Sequence, residues 1–209
     1  MKKIVLASKN PKKAVEVERI IKSFGIQNVK VFALSEIPEA EGIAQAEESG
    51  TTFIENARIK ANYWSKKLNM PALGEDSGLE IDALDGAPGV YTKRAVAQFC
   101  PDANVDEDKP EELYPNLLIA MQKTGNPSKK AGWVSAIVLA FPNNERPLIE
   151  AQNTLYGEMC ECAGERKFGF DQYFIPIGKT ETLSQMLPQE KDDIGPRKKS
   201  LKEIFNKIS

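Results

Sequence analysis

Four apolar residues, Ile4 to Ala7, stand together near the start of the chain and read as a buried strand. The polar run Ser8-Lys9-Asn10-Pro11-Lys12-Lys13 follows, in which Asn10 suits a helix N-cap and Pro11 the first helical position. Ala14, Val17, Ile21 and Phe24 then recur at helical spacing, and Gly25 ends the element. Val29 to Ala33 predicts a second strand. A second helix starts near Thr51, where Thr52 and Glu55 form a capping-box pair. Ile54, Ala57, Ala61, Trp64 and Leu68 make its apolar face, and Pro71 stops it. Ala72-Leu73 begins a short strand that runs into an acidic tight turn, Glu75-Asp76-Ser77-Gly78, before the alternating Leu79-Glu80-Ile81-Asp82. Asp85 to Gly89 has loop composition, and residues 100–110 read as an exposed loop. Leu113 to Met121 predicts a helix with Pro115 in an early turn. Trp133 to Phe141 is the most hydrophobic strand candidate, and Leu148 to Tyr156 pairs with it across Asn143-Asn144. Leu201, Ile204, Phe205 and Ile208 stripe a last helix from about Lys198 to Ile208.

Strands and helices alternate early and a hairpin occupies the middle, so the pattern predicts a mixed α/β fold, not a purely parallel sheet. No repeat or long linker interrupts the 209 residues, which read as a single domain over 1–209. Composition adds exclusions. The 28 basic residues are outnumbered by 30 acidic ones, and this balance argues against non-specific nucleic-acid binding. There is no histidine, which removes Ser-His triads and His-containing zinc sites and leaves acid–base chemistry to Asp, Glu, Lys, Tyr or Cys. Cys100, Cys160 and Cys162 lack metal-ligand spacing and read as plain thiols in a reducing compartment. The first apolar run is too short for a signal peptide or membrane span, so the expected location is cytoplasmic, away from any membrane.

Four stretches carry candidate chemistry. The helix start after Ile4 to Ala7 offers unpaired N–H groups, with Ser8, Lys9, Asn10, Lys12 and Lys13 around them. It lacks the glycines of a P-loop, and it fits a capped helix with solvated lysines as well as a phosphate site. At Glu75-Asp76-Ser77-Gly78, carboxylate oxygens could hold magnesium or orient water, or could satisfy local backbone groups. Phe168-Gly169-Phe170-Asp171 could stack a base and hydrogen-bond to it, or pack its rings in the core. Lys191 and Pro196-Arg197-Lys198-Lys199 could meet phosphate or base, or form a solvated helix start.

In this order, the pieces resemble the inosine/xanthosine triphosphate pyrophosphatase family. The matching segments run from Ile4 to Lys13, Glu48 to Ala61, Pro71 to Leu79 and Gly86 to Tyr91, then Phe168 to Asp171 and Glu190-Lys191 leading to Arg197. The resemblance implies a two-lobed fold with an elongated mixed β-sheet, a central nucleotide cleft and a homodimer. It implies magnesium-dependent hydrolysis of non-standard purine nucleoside triphosphates (ITP, dITP, XTP) to monophosphate and pyrophosphate. Ser8, Lys9, Asn10, Lys12, Lys13 and Lys60 would receive the triphosphate. Glu48 and Asp76 would hold the metal, Asp76 would also accept the water proton, and Ser77 would touch substrate. Phe168, Gly169, Phe170, Asp171, Lys191 and Arg197 would enclose the base and sugar. The chain departs from the family at Gly195-Pro196-Arg197-Lys198, where the family has Ser-His-Arg-Gly, at Asp171-Gln172 in place of Asp-Pro, and over Lys93 to Gln98. Pro196 donates no side-chain hydrogen bond, so a shifted base preference, or nucleotide binding with little catalysis, stands as the alternative.

Overall fold

A computed structural model describes residues 2–94, 110–164 and 170–208. Its strands are β1 (Lys2–Leu6), β2 (Val29–Ala33), β3 (Ala72–Ile81), β4 (Lys130–Ala140), β5 (Ile149–Met159) and β6 (Phe174–Pro176). The α-helices among the described residues are α1 (Pro11–Ser23), α2 (Phe53–Leu68), α3 (Pro110–Lys123), α4 (Pro188–Ile194) and α5 (Pro196–Asn206). The six strands form one sheet in the order β2-β1-β3-β4-β5-β6. β1 runs parallel to β2, with Ile4 opposite Val31, and parallel to β3, with Leu6 opposite Leu73. β5 and β6 are antiparallel, so the fold is the mixed α/β type that the pattern predicts. Parallel neighbours need a crossover, and α1 supplies it between β1 and β2.

The chain divides into two compact units. The first comprises Met1–Asp76, Ser135–Asn153 and Pro196–Ser209, and the second Ser77–Val134 and Thr154–Gly195. In the first unit, alternate strand residues serve two sides of the sheet. Ile4, Leu6, Val31, Leu73, Ile137 and Leu139 pack with Val17, Ile20 and Ile21 of α1 and with Leu201, Ile204 and Phe205 of α5. Val5 and Ala72 pack with Trp64 of α2, Leu34 and Ala40. In the second unit, Leu79 and Ile81 meet Tyr114, Leu117 and Met121 of α3 and the rings of Phe170 and Phe174. Among the described residues, no helix is long and apolar enough to cross a membrane.

Several expectations need correction. Residues 75–78 are not a tight turn; they continue β3 as a ten-residue strand. The glycines suggested a turn, but the strand runs on through them, and tertiary pairing prevails over local composition. α2 stops before Pro71, at Leu68, because Asn69 adopts the left-handed conformation (φ 50°) and its N–H bonds to the Ser65 carbonyl. Pro115 lies in the second turn of α3, since the helix begins five residues earlier at Pro110. The three-residue β6 and the short α4 carry too little periodicity to be read from the chain alone. The loop assigned to residues 100–110 lies, up to residue 109, outside the described residues, as does Cys100. Cys160 and Cys162 are free thiols.

Candidate active site

α1 begins as the sequence predicts. Asn10 is its N-cap and accepts the Lys12 N–H at 3.0 Å, with Pro11 in the first turn. No acidic side chain stands in that turn, so the partial positive charge of the helix start is not offset locally. Ser8 Oγ accepts the Asn10 N–H at 3.3 Å, and Lys9 and Lys12 are exposed.

The centre of the site is built by the alternation along β3. Ala72, Gly74 and Asp76 face α2, while Leu73 and Glu75 face the opposite side. Gly74 lets strand and helix meet. A Cβ there would lie 2.0 Å from the Ala57 carbonyl oxygen and 2.6 Å from the Ala61 nitrogen, so any side chain would force the two apart. Two residues on, this close approach brings the Asp76 carboxylate to the polar stripe of α2. Lys60 Nζ donates to Asp76 Oδ1 at 2.7 Å, and Asn56 Nδ2 donates to Oδ2 at 3.4 Å. Asn56 and Lys60 are one helical turn apart, which places both on one face. Lys60 Nζ also lies 3.4 Å from Glu48 Oε2, so a single ammonium joins the two carboxylates predicted as metal ligands. Burial raises the Asp76 carboxyl above its ordinary value; the Lys60 charge and hydrogen bond oppose this, and Glu48 adds to it.

On the other side of β3, Glu75 is buried between cations. Its Oε1 accepts from Arg197 Nε at 2.8 Å and Ser135 Oγ at 3.1 Å, and Lys13 Nζ lies 3.0 Å from Oε2. Arg197 pairs in addition with Glu16 of α1. Burial would push the Glu75 carboxyl up, but the Arg197 and Lys13 charges outweigh it and hold it well below the usual carboxylate range. Burial lowers the Lys13 ammonium, against the pull of Glu75. For Arg197, burial is overcome by Glu75 and Glu16, and its guanidinium is held above its ordinary value. The lysine and arginine predicted for substrate are thus stationed by one buried glutamate. The sequence reading missed this role of Glu75, and those of Asn56, Glu16 and Ser135. The signal available for Glu75 was the two-residue period of Leu73, Glu75 and Ser77, which a turn assignment hides.

The remaining predicted residues lie in the second unit. Asp171 is buried and paired with Lys191. Phe170 sits in the core, its ring 4.1 Å from Trp133 and 5.3 Å from Tyr114 between centroids. Ser77 is the first residue of that unit, and Phe168 and Gly169 lie outside the described residues.

A model of the Ham1 family matches residues 4–207. A dITP/XTP pyrophosphatase of Mycobacteroides abscessus is 33% identical over 202 residues, spanning 95% of this chain and 91% of that one. A dITP/XTP pyrophosphatase of Brucella melitensis is 38% identical over 191 residues, spanning 90% and 81%. Among solved structures, a HAM1 protein from Coxiella burnetii superposes with a TM-score of 0.83 at 29% identity, spanning 100% of this chain and 98% of that one. A family match from the first strand to the last helix, with relatives of nearly equal length and a shared backbone, leaves one assignment: this chain belongs to the Ham1 family.

Proposed function

We infer that this chain hydrolyses non-standard purine nucleoside triphosphates, such as dITP and XTP, to the monophosphate and pyrophosphate. The dITP/XTP pyrophosphatase relatives support the reaction, and the observation that carries the site is the constellation of Lys60 on α2, Asp76 on β3 and Glu48 in the segment before α2. Glu48 and Asp76 would hold magnesium. Their oxygens suit a hard cation that takes one or two carboxylates and completes its shell with phosphate oxygens and water. Among the described residues no group of three or more His, Cys, Asp or Glu could hold a metal alone. When bound, magnesium supplies neutralisation of phosphate charge.

The chain's own residues do the rest. The α1 N-terminus with Ser8, Lys9, Asn10, Lys12 and Lys13 receives the phosphates, and Lys60 adds a charge beside them. Water oxygen attacks the α-phosphorus, the bond from that phosphorus to the bridging oxygen breaks, and pyrophosphate leaves. Asp76 takes the proton of the attacking water. Ser77, Phe168, Gly169, Asp171, Lys191 and Arg197 would serve the nucleoside end, whereas the ring of Phe170 packs in the core against Trp133 and Tyr114. The enzyme works as a cytoplasmic homodimer, with residues 1–209 as one domain.

One observation favours a second reading of specificity. Pro196 is buried as the first residue of α5, where the resembled family carries histidine, and a side chain that donates no hydrogen bond there would shift base preference from the family's. The test is incubation with magnesium and a panel of standard, deaminated and pyrimidine triphosphates, scoring pyrophosphate and monophosphate separately. Pyrophosphate with a deaminated purine is the expected product, and orthophosphate in its place would overturn the reaction. Asp76→Asn is expected to fold and to lose about 10²–10⁴ in turnover, the usual worth of a positioned general base. Pyrophosphate release near the wild-type rate would remove Asp76 from that role.

A further inference from the structure

We propose that Asn56 is a positioning residue that sets the separation of Glu48 and Asp76, by gripping with one carboxamide both the segment that carries Glu48 and the Asp76 carboxylate. The proposal rests on the reading that these two carboxylates bind the metal. Asn56 is 2% exposed, in the first turn of α2, and hydrogen-bonded at both ends. Its Oδ1 accepts the Gly50 N–H at 2.8 Å. A backbone N–H can only donate, so the amide oxygen must lie on that side and Nδ2 on the side of Asp76, where it donates to Oδ2 at 3.4 Å.

Gly50 stands two residues after Glu48. A Cβ on Gly50 would lie 2.7 Å from Asn56 Oδ1 and 3.0 Å from the Asn56 nitrogen, so the chain is laid directly against the amide. Beyond that point the Thr51 and Thr52 N–H groups bond to Glu55 Oε2 at 2.8 and 3.1 Å, which ties the segment to the helix start. Lys60 also bridges the two carboxylates, but through a four-carbon stem with many rotamers. The asparagine side chain has two rotatable bonds and is locked at both ends, so it fixes distance where the lysine supplies charge. Each Asp76 oxygen has its own donor from α2, and removing Asn56 leaves the carboxylate free to turn about Lys60. Partners that orient metal-binding side chains are worth about 10–100-fold in metal affinity.

The test is Mn²⁺ binding to the full chain without nucleotide, followed by electron paramagnetic resonance of the free ion, with circular dichroism to establish folding. Asn56→Ala is expected to raise the Mn²⁺ Kd by about 10-fold or more. In a Glu48→Gln background the same substitution is expected to add little, because its effect passes through the geometry of the pair. Arg58→Ala, on the same helix but paired with Glu150, is expected to lower Tm and leave the Kd unchanged. Asn56→Ser replaces Asn56→Ala if the alanine variant fails to fold; its short hydroxyl cannot span both partners, and the same loss is expected. A Kd within about two-fold of wild type, where orienting partners usually act by 10-fold or more, overturns the proposal if Glu48→Gln and Asp76→Asn both weaken Mn²⁺ binding. Fully additive losses overturn it as well. Unchanged binding in Glu48→Gln and Asp76→Asn overturns the metal reading itself, and the proposal with it.

Discussion

Glu75 shows how much one side chain can organise. A carboxylate with 2% of its side chain exposed is tolerable only because Lys13, Arg197 and Ser135 engage both oxygens. Glu75→Gln keeps the shape and removes the charge, leaving two cations gathered around a neutral amide. Stability is expected to fall by about 3 kcal/mol, the low end for breaking a buried ion pair, as read by urea unfolding. A loss below about 0.5 kcal/mol, the size of an ordinary surface substitution, would mean that solvent reaches the cluster and screens it. This residue also marks what the chain alone conceals. Asp76, Lys13, Lys60 and Arg197 could be named from motif order, because each lies in a segment shared with a known family. Which of them are free to meet a ligand, and which are held by a neighbour, depends on Glu75 and Glu16, and those pairings join positions as far apart as 16 and 197.

At the scale of elements, the contact between α2 and β3 decides where the acidic group stands. The helix start was legible, since Thr52 and Glu55 make the predicted reciprocal bonds. The strand was not. Its glycines at positions 74 and 78 suggest a turn, yet Gly74 is required by the proximity of α2 and not by chain reversal. Gly74→Ala puts a methyl group 2.0 Å from the Ala57 carbonyl oxygen, an overlap that backbone movement must relieve. The expected cost is about 3 kcal/mol, the upper part of the usual range for overpacking, measured by chemical denaturation. Lys60 and Asn56 retreat with the helix, so pyrophosphate release falls on the order of 10²-fold, as for an ångström-scale misplacement of catalytic groups. An active, stable alanine variant would show that strand and helix separate without disturbing Asp76.

For the whole molecule, titration follows from which carboxyls gain and which lose on folding. Glu18, bonded to Lys22, Lys30 and the Val31 N–H, has its carboxyl lowered to about 2 in spite of its burial, and Glu75 is lowered as well. A carboxyl lowered by folding adds stability that is complete above its unfolded value and lost as the pH falls through the folded one. Asp76 works in the opposite sense, because its raised carboxyl makes protonation easier in the folded chain and recovers a little stability as the pH falls. With no histidine in the sequence, no side chain has an ordinary value between about 6 and 8. Tm is therefore expected to be nearly level from neutral pH to about pH 5, then to drop steeply below the ordinary glutamate value of about 4.3. Melts that lose most of their stability between pH 7 and 6 would contradict this.

The alternation of β3 has a further consequence for how the sequence can change. Leu73 and Glu75 look one way, Gly74 and Asp76 the other, and each pair suits only its own neighbours. Inserting or deleting one residue within this strand, ahead of its acidic end, would exchange the two sets instead of shifting them. Leucine would then meet the backbone of α2 at a place that admits no methyl group, and aspartate would fall short among the cations that a glutamate now reaches. Length variation is thus forbidden within these few residues, while the irregular stretch before Thr52 can absorb it wherever Gly50 still meets Asn56.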